Sequence, residues 1–455
     1  MTEMQPLLLG WTRRGTLALR RVTSERRLRA ELGWVVANNL GEFCIGFVLL
    51  KVLTNLLGKQ GFGEFKLAET AILFVASVLL SPIHESYLRD YYGVLDRGQG
   101  RRFGLLLVRW YAVVTVGFAA LAALLSVRFA QWFDMGRWTT LAAGLVFLFL
   151  PWRILRQDIL NIRRERRPQM LQNVAYLTLQ VAMIWGVLSV WNATPSAALL
   201  AYAGAAAIFA CVCGVPLVRE VLRLPIGPPT RLMPIVWSFG IPYAALLVLQ
   251  WTQGVTDRYL LKAMIDTQTV GLYVAAYQVC GIPYLLLLKV CHNLLRPIAY
   301  ERGRDPQDAR GLWRADRVLL GGVAVQAVLG AGMLVFYAIA GQRLLVLLTS
   351  PQFLLPTTTI VALTASRFVQ SMTQSLESIF AVHHRMVNML GFRFVGAVFT
   401  VAICWYAVRW YGIFGAAAGT LVAYTAYFLC LVLGPSGCIW LVMRARRDAR
   451  EAQGA

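Results

Sequence analysis

Residues 103–127 read FGLLLVRWYAVVTVGFAALAALLSV, a run of 25 residues in which Arg109 is the one charged side chain. A helix rises about 1.5 Å per residue, so about 20 apolar residues cross the roughly 30 Å hydrocarbon core of a membrane. This stretch is long enough to cross it once. Because a backbone in hydrocarbon must satisfy its own hydrogen bonds, we expect the stretch to be an α-helix.

Eleven further stretches share this character, in a chain that is 58% hydrophobic with 15% charged residues. The sequence therefore predicts an all-α, polytopic membrane protein with about twelve transmembrane helices and no sizeable soluble domain. The predicted spans are 32–57, 64–91, 103–127, 138–158, 169–191, 196–218, 234–261, 268–295, 314–340, 353–381, 387–408 and 412–442.

Lys and Arg fall mainly into alternate gaps between these spans. Of the 44 basic residues, the first 30 residues and every second gap hold 31, whereas the intervening gaps hold seven. Basic loops are retained on the cytoplasmic side of a membrane, so this alternation predicts an even number of spans with both termini cytoplasmic. Anionic lipid headgroups explain the net charge of +22, since the loops are short and no nucleic-acid-binding motif accompanies them.

A repeated pattern indicates two similar halves. A cation near the end of one span, Lys51 or Arg258, is followed by a turn with glycine, Gly63 or Gly271, and then by a span that ends in Leu-Arg. Both halves begin on the same side, so we expect a parallel repeat of two six-helix lobes around a central cavity, with chance similarity as the alternative. The predicted organisation is a basic cytoplasmic segment (1–30), an N-lobe (31–218), a cytoplasmic linker (219–233), a C-lobe (234–443) and a cytoplasmic tail (444–455).

Motifs that carry catalysis are missing from the chain. We find neither a G-x-x-x-x-G-K-[ST] phosphate-binding loop nor an H-E-x-x-H zinc motif nor a G-x-S-x-G elbow. The sequence therefore predicts a transporter and not an enzyme, with no catalytic residue, no metal site and no cofactor. A proton or a sodium ion remains open as the coupling ion.

Ionisable side chains inside the predicted spans carry the functional hypothesis. Each costs at least about 2.5–3.5 kcal/mol at the centre of a lone helix, so it needs a partner or a wet cavity. Six cations are predicted to line a substrate-binding cavity: Arg367, Arg393, Arg258, Lys51, Arg109 and Lys289. Four acids are predicted to carry a coupling ion or to balance these charges: Glu42, Glu69, Asp257 and Glu377.

A cavity with surplus cations suits an anionic substrate. Arginine binds phosphate oxygens with two parallel hydrogen bonds and keeps its charge at any physiological pH. Arg367 is the most informative of the six, because it lies nearest the middle of its span. Lys51, Arg109 and Lys289 lie closer to an interface, where snorkelling of the charge to the membrane surface is an equal alternative.

Short segments of the second half resemble a known family. Residues 250–261, QWTQGVTDRYLL, and residues 270–278, VGLYVAAYQ, resemble the start of the second lobe in polysaccharide-type flippases of the multidrug/oligosaccharidyl-lipid/polysaccharide exporter superfamily. Residues 61–65, GFGEF, look like the matching turn of the first lobe, and residues 411–420, YGIFGAAAGT, are similar to the start of a late span. Specific matching is limited to these short pieces.

The resemblance implies a two-lobed bundle that works by alternating access in the inner membrane of a bacterium. Its substrate would be a polyprenyl-diphosphate-linked oligosaccharide, moved to the outer leaflet for a surface polysaccharide such as O-antigen, capsule or exopolysaccharide. Membrane lipids, a polysaccharide polymerase and glycosyltransferases are the expected partners. The alternatives are a cation-coupled multidrug exporter of the same superfamily, a membrane glycan polymerase or ligase, and a scaffold that transports nothing.

Overall fold

The computed structural model describes residues 5–96, 98–133, 135–223, 233–303, 308–383 and 385–454, and helices make up nearly all of this part of the chain. Side chains are described from residue 33 onward. In chain order the helices are α1 (Gln5–Asp96), α2 (Gly100–Leu124), α3 (Ser126–Phe133), α4 (Arg137–Ile162), α5 (Arg166–Val190), α6 (Pro195–Phe209), α7 (Val215–Arg223), α8 (Met233–Met264), α9 (Thr267–Arg302), α10 (Ala309–Leu348), α11 (Thr357–Val382), α12 (Met386–Leu433) and α13 (Cys438–Gly454).

The two longest transmembrane helices each turn back at a glycine. Gly58 has φ 64° in α1 and Gly412 has φ 55° in α12, a left-handed conformation that glycine adopts without steric cost. We call the two arms of α1 α1a (5–57) and α1b (59–96). Ordinary caps start other helices: the Thr194 hydroxyl accepts from the backbone N–H of Ala197 at 3.3 Å, and the Asp266 carboxylate accepts from that of Thr269 at 2.6 Å.

Eight helical stretches of the described chain are long and apolar enough to cross a membrane, and two of them, with 57 and 65 residues, are each long enough to cross it twice. Helices α8 and α11 are not among these stretches but pack within the same bundle. Within the described residues this gives the twelve crossings of a polytopic membrane protein. Turns of two kinds alternate along the chain, and we name the ends of the bundle after them. The basic end holds the turns around residues 98, 164 and 385, and the neutral end holds those around residues 58, 192, 265 and 354.

The helices pack as two groups. Helices α1, α2, α4, α5 and α6 contact one another in an N-lobe, whereas α8 to α12 contact one another in a C-lobe. The lobes meet where α1 packs against α8 and α9. The main apolar core fills the N-lobe and the lobe contact at the neutral end, and a second core lies between α10, α11, α12 and α13.

The last transmembrane helix is shorter than the sequence predicts. The predicted span 412–442 is interrupted, because α12 ends at Leu433 and the turn after it contains Gly434 and Pro435. Proline lacks the N–H that would continue the helix. Residues 438–442 instead begin α13, which carries the basic tail. Most of the predicted linker (224–232) and residues 1–4 and 455 lie outside the described residues.

Candidate functional site

The lobes meet backbone to backbone at the neutral end. A Cβ atom on Gly271 of α9 would lie 2.0 Å from the carbonyl oxygen of Lys59, and one on Gly63 of α1b would lie 2.2 Å from that of Thr267. No other residue has room at either position. The two glycines that mark the sequence repeat therefore let α1b and α9 touch, which closes this end.

Polar side chains add to this closure. The Lys51 ammonium group donates to the carbonyl oxygen of Leu347 at 2.7 Å and to that of Val346 at 3.4 Å. These are carbonyls of the last turn of α10, where the helix dipole favours a cation. The Gln352 amide donates to the carbonyl oxygen of Thr54 at 3.4 Å. Lys51 thus joins the lobes at the neutral end and does not line the central cavity.

A cavity of about 410 Å³ lies between the lobes and extends from the middle of the bundle toward the basic end. Its wall comes from α1a, α1b, α4, α5, α6, α8, α9 and α11. It continues into a second space of about 320 Å³ at the basic end of the N-lobe, with which it shares Asn39, Glu42, Arg153 and Lys289. The charged residues of the central cavity are Glu42, Lys66, Glu69, Arg153, Arg258, Lys289 and Arg367.

Two guanidinium groups contact one tyrosine at the closed end of this cavity. The carbon of the Arg367 guanidinium lies 4.1 Å from the centre of the Tyr277 ring, and that of Arg258 lies 4.5 Å from it. Arg367 also donates to the Tyr277 hydroxyl, and Arg258 donates to the Thr70 hydroxyl at 3.2 Å. Among the described residues neither arginine forms an ion pair, so cation–π contacts and hydroxyls hold both groups.

The two acids of the central cavity are already paired with lysines. Lys66 contacts Glu69 at 2.7 Å and Lys289 contacts Glu42 at 2.9 Å. The second pair bridges α9 and α1a, and its side chains are 38% and 43% exposed. Among the residues that the structure describes, three arginines of the cavity have no carboxylate within ion-pair distance: Arg153, Arg258 and Arg367. Arg153 instead donates to Asn173 at 2.6 Å and lies 4.1 Å from the centre of the Tyr176 ring.

Asp257 does not enter the cavity. It is buried, with 2% exposure, and its carboxylate accepts from the Tyr273 hydroxyl at 2.5 Å and from the backbone N–H of Arg258 at 2.8 Å. Its negative charge therefore lies next to Arg258 on the side away from the cavity wall, where a substrate does not reach it. Farther out, Asp158 lines the basic-end space and lies 3.1 Å from the ring of His84, so that acid is also engaged.

The predicted site residues fall into three places. The structure brings Arg258, Arg367, Lys289, Glu42 and Glu69 to the central cavity. Arg393 and Glu377 lie elsewhere: they form a buried ion pair at 2.5 Å inside the C-lobe, beside a different cavity. Arg109 lies on an exposed part of α2 and lines none of these cavities.

Three residues of the cavity were missed by sequence reasoning. Lys66 and Arg153 lie near the ends of the predicted spans 64–91 and 138–158 and were counted with the loop cations beside them, yet both side chains line the cavity. Tyr277 carries no charge, so no pattern marks it. Only its place one turn after Tyr273, within the segment VGLYVAAYQ, gave a signal.

Comparison with known proteins reveals similarity in structure only. No family model matches the chain, and no curated protein matches it. An inward-facing multidrug resistance MATE family transporter of the MOP superfamily superposes with a TM-score of 0.66 at 12% identity, over 91% of this chain and 95% of that chain. The chain has the MATE-transporter fold. An outward-facing structure of a multidrug resistance MATE family transporter superposes with a TM-score of 0.64 at 12% identity, over 92% of this chain and 96% of that chain.

A third solved structure with this fold is described by the polarity of its binding pocket. It is a MOP superfamily transporter from Pyrococcus furiosus, described as having a binding pocket of reverse polarity, with a TM-score of 0.64 at 11% identity over 91% and 94% of the two chains. Identities this low establish a shared fold and nothing finer. The fold of these solved structures agrees with the two-lobed helical bundle that the short segments imply.

Proposed function

We propose that the protein is an alternating-access transporter whose central cavity binds the anionic head of its substrate. The observation that carries the proposal is the pair of arginines at Tyr277, which have no carboxylate partner among the described residues while both cavity acids are ion-paired. A guanidinium inside a helical bundle is stabilised by a counter-charge, and a substrate with phosphate oxygens supplies one in the cavity. Closure at the neutral end with an open basic end is one of the two states that alternating access requires.

The finer proposal is a polyprenyl-diphosphate-linked oligosaccharide as the substrate. Its diphosphate would meet Arg258 and Arg367, its sugars would occupy the wet cavity, and its lipid chain would stay in the membrane. The resemblance of the segments around Arg258 to polysaccharide-type flippases supports this choice. Under it the basic end faces the cytoplasm of a bacterium, both termini are cytoplasmic, and a polymerase and glycosyltransferases act on the same glycan.

The second candidate is an exporter of organic cations. The MATE family transporters with this fold are described as multidrug resistance proteins, and this observation favours it. A cationic drug would require an unpaired acid in the cavity. Here Glu42 and Glu69 would first have to leave Lys289 and Lys66, which lowers the affinity for a cation.

Binding to the purified full-length protein in nanodiscs separates the two candidates. We expect a polyprenyl diphosphate to bind, and both Arg367→Gln and Arg258→Gln to weaken it by about 10- to 100-fold, since a hydrogen bond to a charged group contributes about 1.5–3 kcal/mol. Arg343→Gln, an exposed arginine at the neutral end, is the matched control and leaves binding unchanged. Tighter binding of tetraphenylphosphonium than of the diphosphate to the unmodified protein would establish the cation exporter instead.

A further inference from the structure

A separate cavity of about 360 Å³ lies inside the C-lobe, toward the basic end. Four helices of that lobe, α8, α9, α11 and α12, supply its whole wall, and none of its lining residues lines the central cavity. Its charged residues are Arg296, Arg393 and Glu377, and the groups around them are tyrosines, glutamines and His292. The wall is thus rich in hydrogen-bond donors and contains one acid.

That acid is fully engaged. One oxygen of Glu377 accepts from Arg393 at 2.5 Å, and the other accepts from the Tyr427 hydroxyl at 2.7 Å. Both side chains of the ion pair are 7% exposed, and Arg393 also donates to Gln253 at 3.2 Å. Arg393 and Glu377 therefore neutralise each other, and the pair has little capacity left for a ligand.

Arg296 supplies the surplus charge of this cavity. Its Nε donates to the Ser378 hydroxyl at 2.8 Å, which fixes the plane of the guanidinium. Within the described part of the chain it forms no ion pair with a carboxylate, and its two terminal nitrogens form no hydrogen bond. The acid of this cavity, Glu377, is already engaged by Arg393 and Tyr427, so the protein balances the charge of Arg296 only in part.

We propose that the C-lobe cavity is a second anion-binding site, built to bind a phosphate group on the free face of the Arg296 guanidinium. Arg296 lines the cavity, and a guanidinium offers its two terminal nitrogens to phosphate oxygens as a pair of parallel donors. Gln250 and Gln374 line the same space and add amide donors. Ser378 is a positioning residue, because it acts on the ligand only through Arg296.

The site goes beyond the proposed function and stands without it, since it shares neither wall nor charged residue with the central cavity. The phosphate has two natural sources. It belongs either to an anionic phospholipid of the membrane or to a soluble or cargo phosphate that enters from the basic end. Arg296 lies six positions before the end of α9, so both sources would approach it from that end. The chemistry at Arg296 is the same for both.

The test uses inorganic diphosphate with the full-length protein in phosphatidylcholine nanodiscs, in an Arg367→Gln background that weakens the central site. We expect binding to persist in Arg367→Gln and to weaken at least about tenfold when Arg296→Gln is added, because one charged hydrogen-bonding partner is lost. Arg296→Lys keeps the positive charge but loses the paired donors of the guanidinium, so we expect its diphosphate affinity to lie between those of Arg367→Gln alone and the Arg296→Gln double variant. Arg343→Gln in the same background is the matched control and changes nothing.

Two results would overturn the site: diphosphate binding that disappears with Arg367→Gln alone, or binding that Arg296→Gln leaves unchanged in a folded protein. Failure of the central site is visible separately, as unaltered polyprenyl diphosphate affinity in Arg367→Gln. Phosphatidylglycerol in the nanodisc then distinguishes the sources. If it competes with diphosphate in Arg367→Gln but not in the Arg296→Gln double variant, the occupant is a lipid headgroup. If it does not compete while the Arg296 dependence holds, the site takes a soluble or cargo phosphate.

Discussion

Two interfaces join the lobes, and we call them seams: one lies between α1b and α8, the other between α1a and α9. Corresponding helices form the two seams, yet the contacts along them differ. Helix α1b follows α8 closely: Gly240 lies against the backbone of Pro82 near the basic end, the Ser86 hydroxyl donates to the carbonyl oxygen of Val236 at 3.3 Å, and Arg258 reaches Thr70 at 3.2 Å. Helices α1a and α9 instead enclose the central cavity. Within the described residues one ion pair, Lys289–Glu42, bridges them near the basic end.

This difference shows which contacts an opening motion would have to break. Backbone contact over many residues excludes water and resists separation, whereas an ion pair with exposed side chains contributes about 0–1 kcal/mol. The seam between α1b and α8 is therefore the part that stays together in our proposal. The contact of Gly63 with Gly271 at the neutral end is the part that must separate when the cavity opens to the other side.

The largest effect is expected from a bulky residue at the neutral-end contact. In Gly271→Val the new Cβ would lie 2.0 Å from the carbonyl oxygen of Lys59. The two helices cannot keep their contact at this distance, so the neutral end opens. Overpacking of this kind costs about 1–3 kcal/mol or more, which shifts the two states by about 10- to 100-fold. We expect transport to be abolished in a folded protein that stays open at the neutral end.

The measurement is the reactivity of a single cysteine at Tyr277, in a chain without its native cysteines, toward an impermeant thiol reagent added from either side. In Gly271→Val the reagent should reach it from the neutral end, and without that substitution from the basic end. Gly254→Ala on α8 is the control, because no atom lies within 4 Å of the added Cβ. Unchanged sidedness in Gly271→Val would mean that this glycine contact is not the closure.

Much of this contrast was available from the sequence. Apolar runs and the alternation of basic gaps predicted the helical bundle and the number of crossings, because hydrocarbon thickness and charge retention act on local stretches of chain. The repeat pointed to Gly63 and Gly271 at equivalent positions. The depth of Arg367 in its span predicted that it faces a cavity. Arg258 was also proposed for the cavity, although it lies near the end of its span, and both arginines line it.

The rest depends on how helices rotate and pair, which no local pattern encodes. Arg393 reaches Glu377 because residues 16 positions apart on α12 and α11 meet across a helix contact. Arg109 faces outward through the rotation of α2, which its even apolar composition does not reveal. Lys66 and Arg153 line the cavity although they were counted with the loop cations beside their spans. Tyr277 contacts two arginines but is uncharged, so a search for charged residues within spans does not select it.

A smaller and different effect is expected at the seam between α1b and α8. Gly240→Ala adds a methyl group 2.2 Å from the carbonyl oxygen of Pro82, a backbone atom that cannot move aside cheaply. If this seam stays closed in both states, the substitution destabilises both by about 1–3 kcal/mol and leaves their ratio unchanged.

Thermal unfolding in nanodiscs measures the loss of stability, and the cysteine assay at Tyr277 measures the ratio of the two states. Gly332→Ala, which meets open space on α10, is the control and keeps the unfolding temperature. A change of sidedness in Gly240→Ala, comparable to that in Gly271→Val, would show that both seams move and that the contrast between them is not functional.

The smallest effect is expected at Lys51. It distinguishes a role in closing the neutral end from a role in binding the substrate. Lys51→Met removes the donor to the carbonyl oxygens of Leu347 and Val346 but keeps a side chain of similar length. Since a partly exposed charged hydrogen bond at a helix end contributes about 0.3–1 kcal/mol, the open neutral end should gain about two- to fivefold in population. The cysteine at Tyr277 should react correspondingly faster from that side, while the affinity for polyprenyl diphosphate stays the same. The contacts of Lys51 with α10 predict no loss of substrate affinity. A loss as large as that in Arg367→Gln would therefore show that Lys51 binds the substrate.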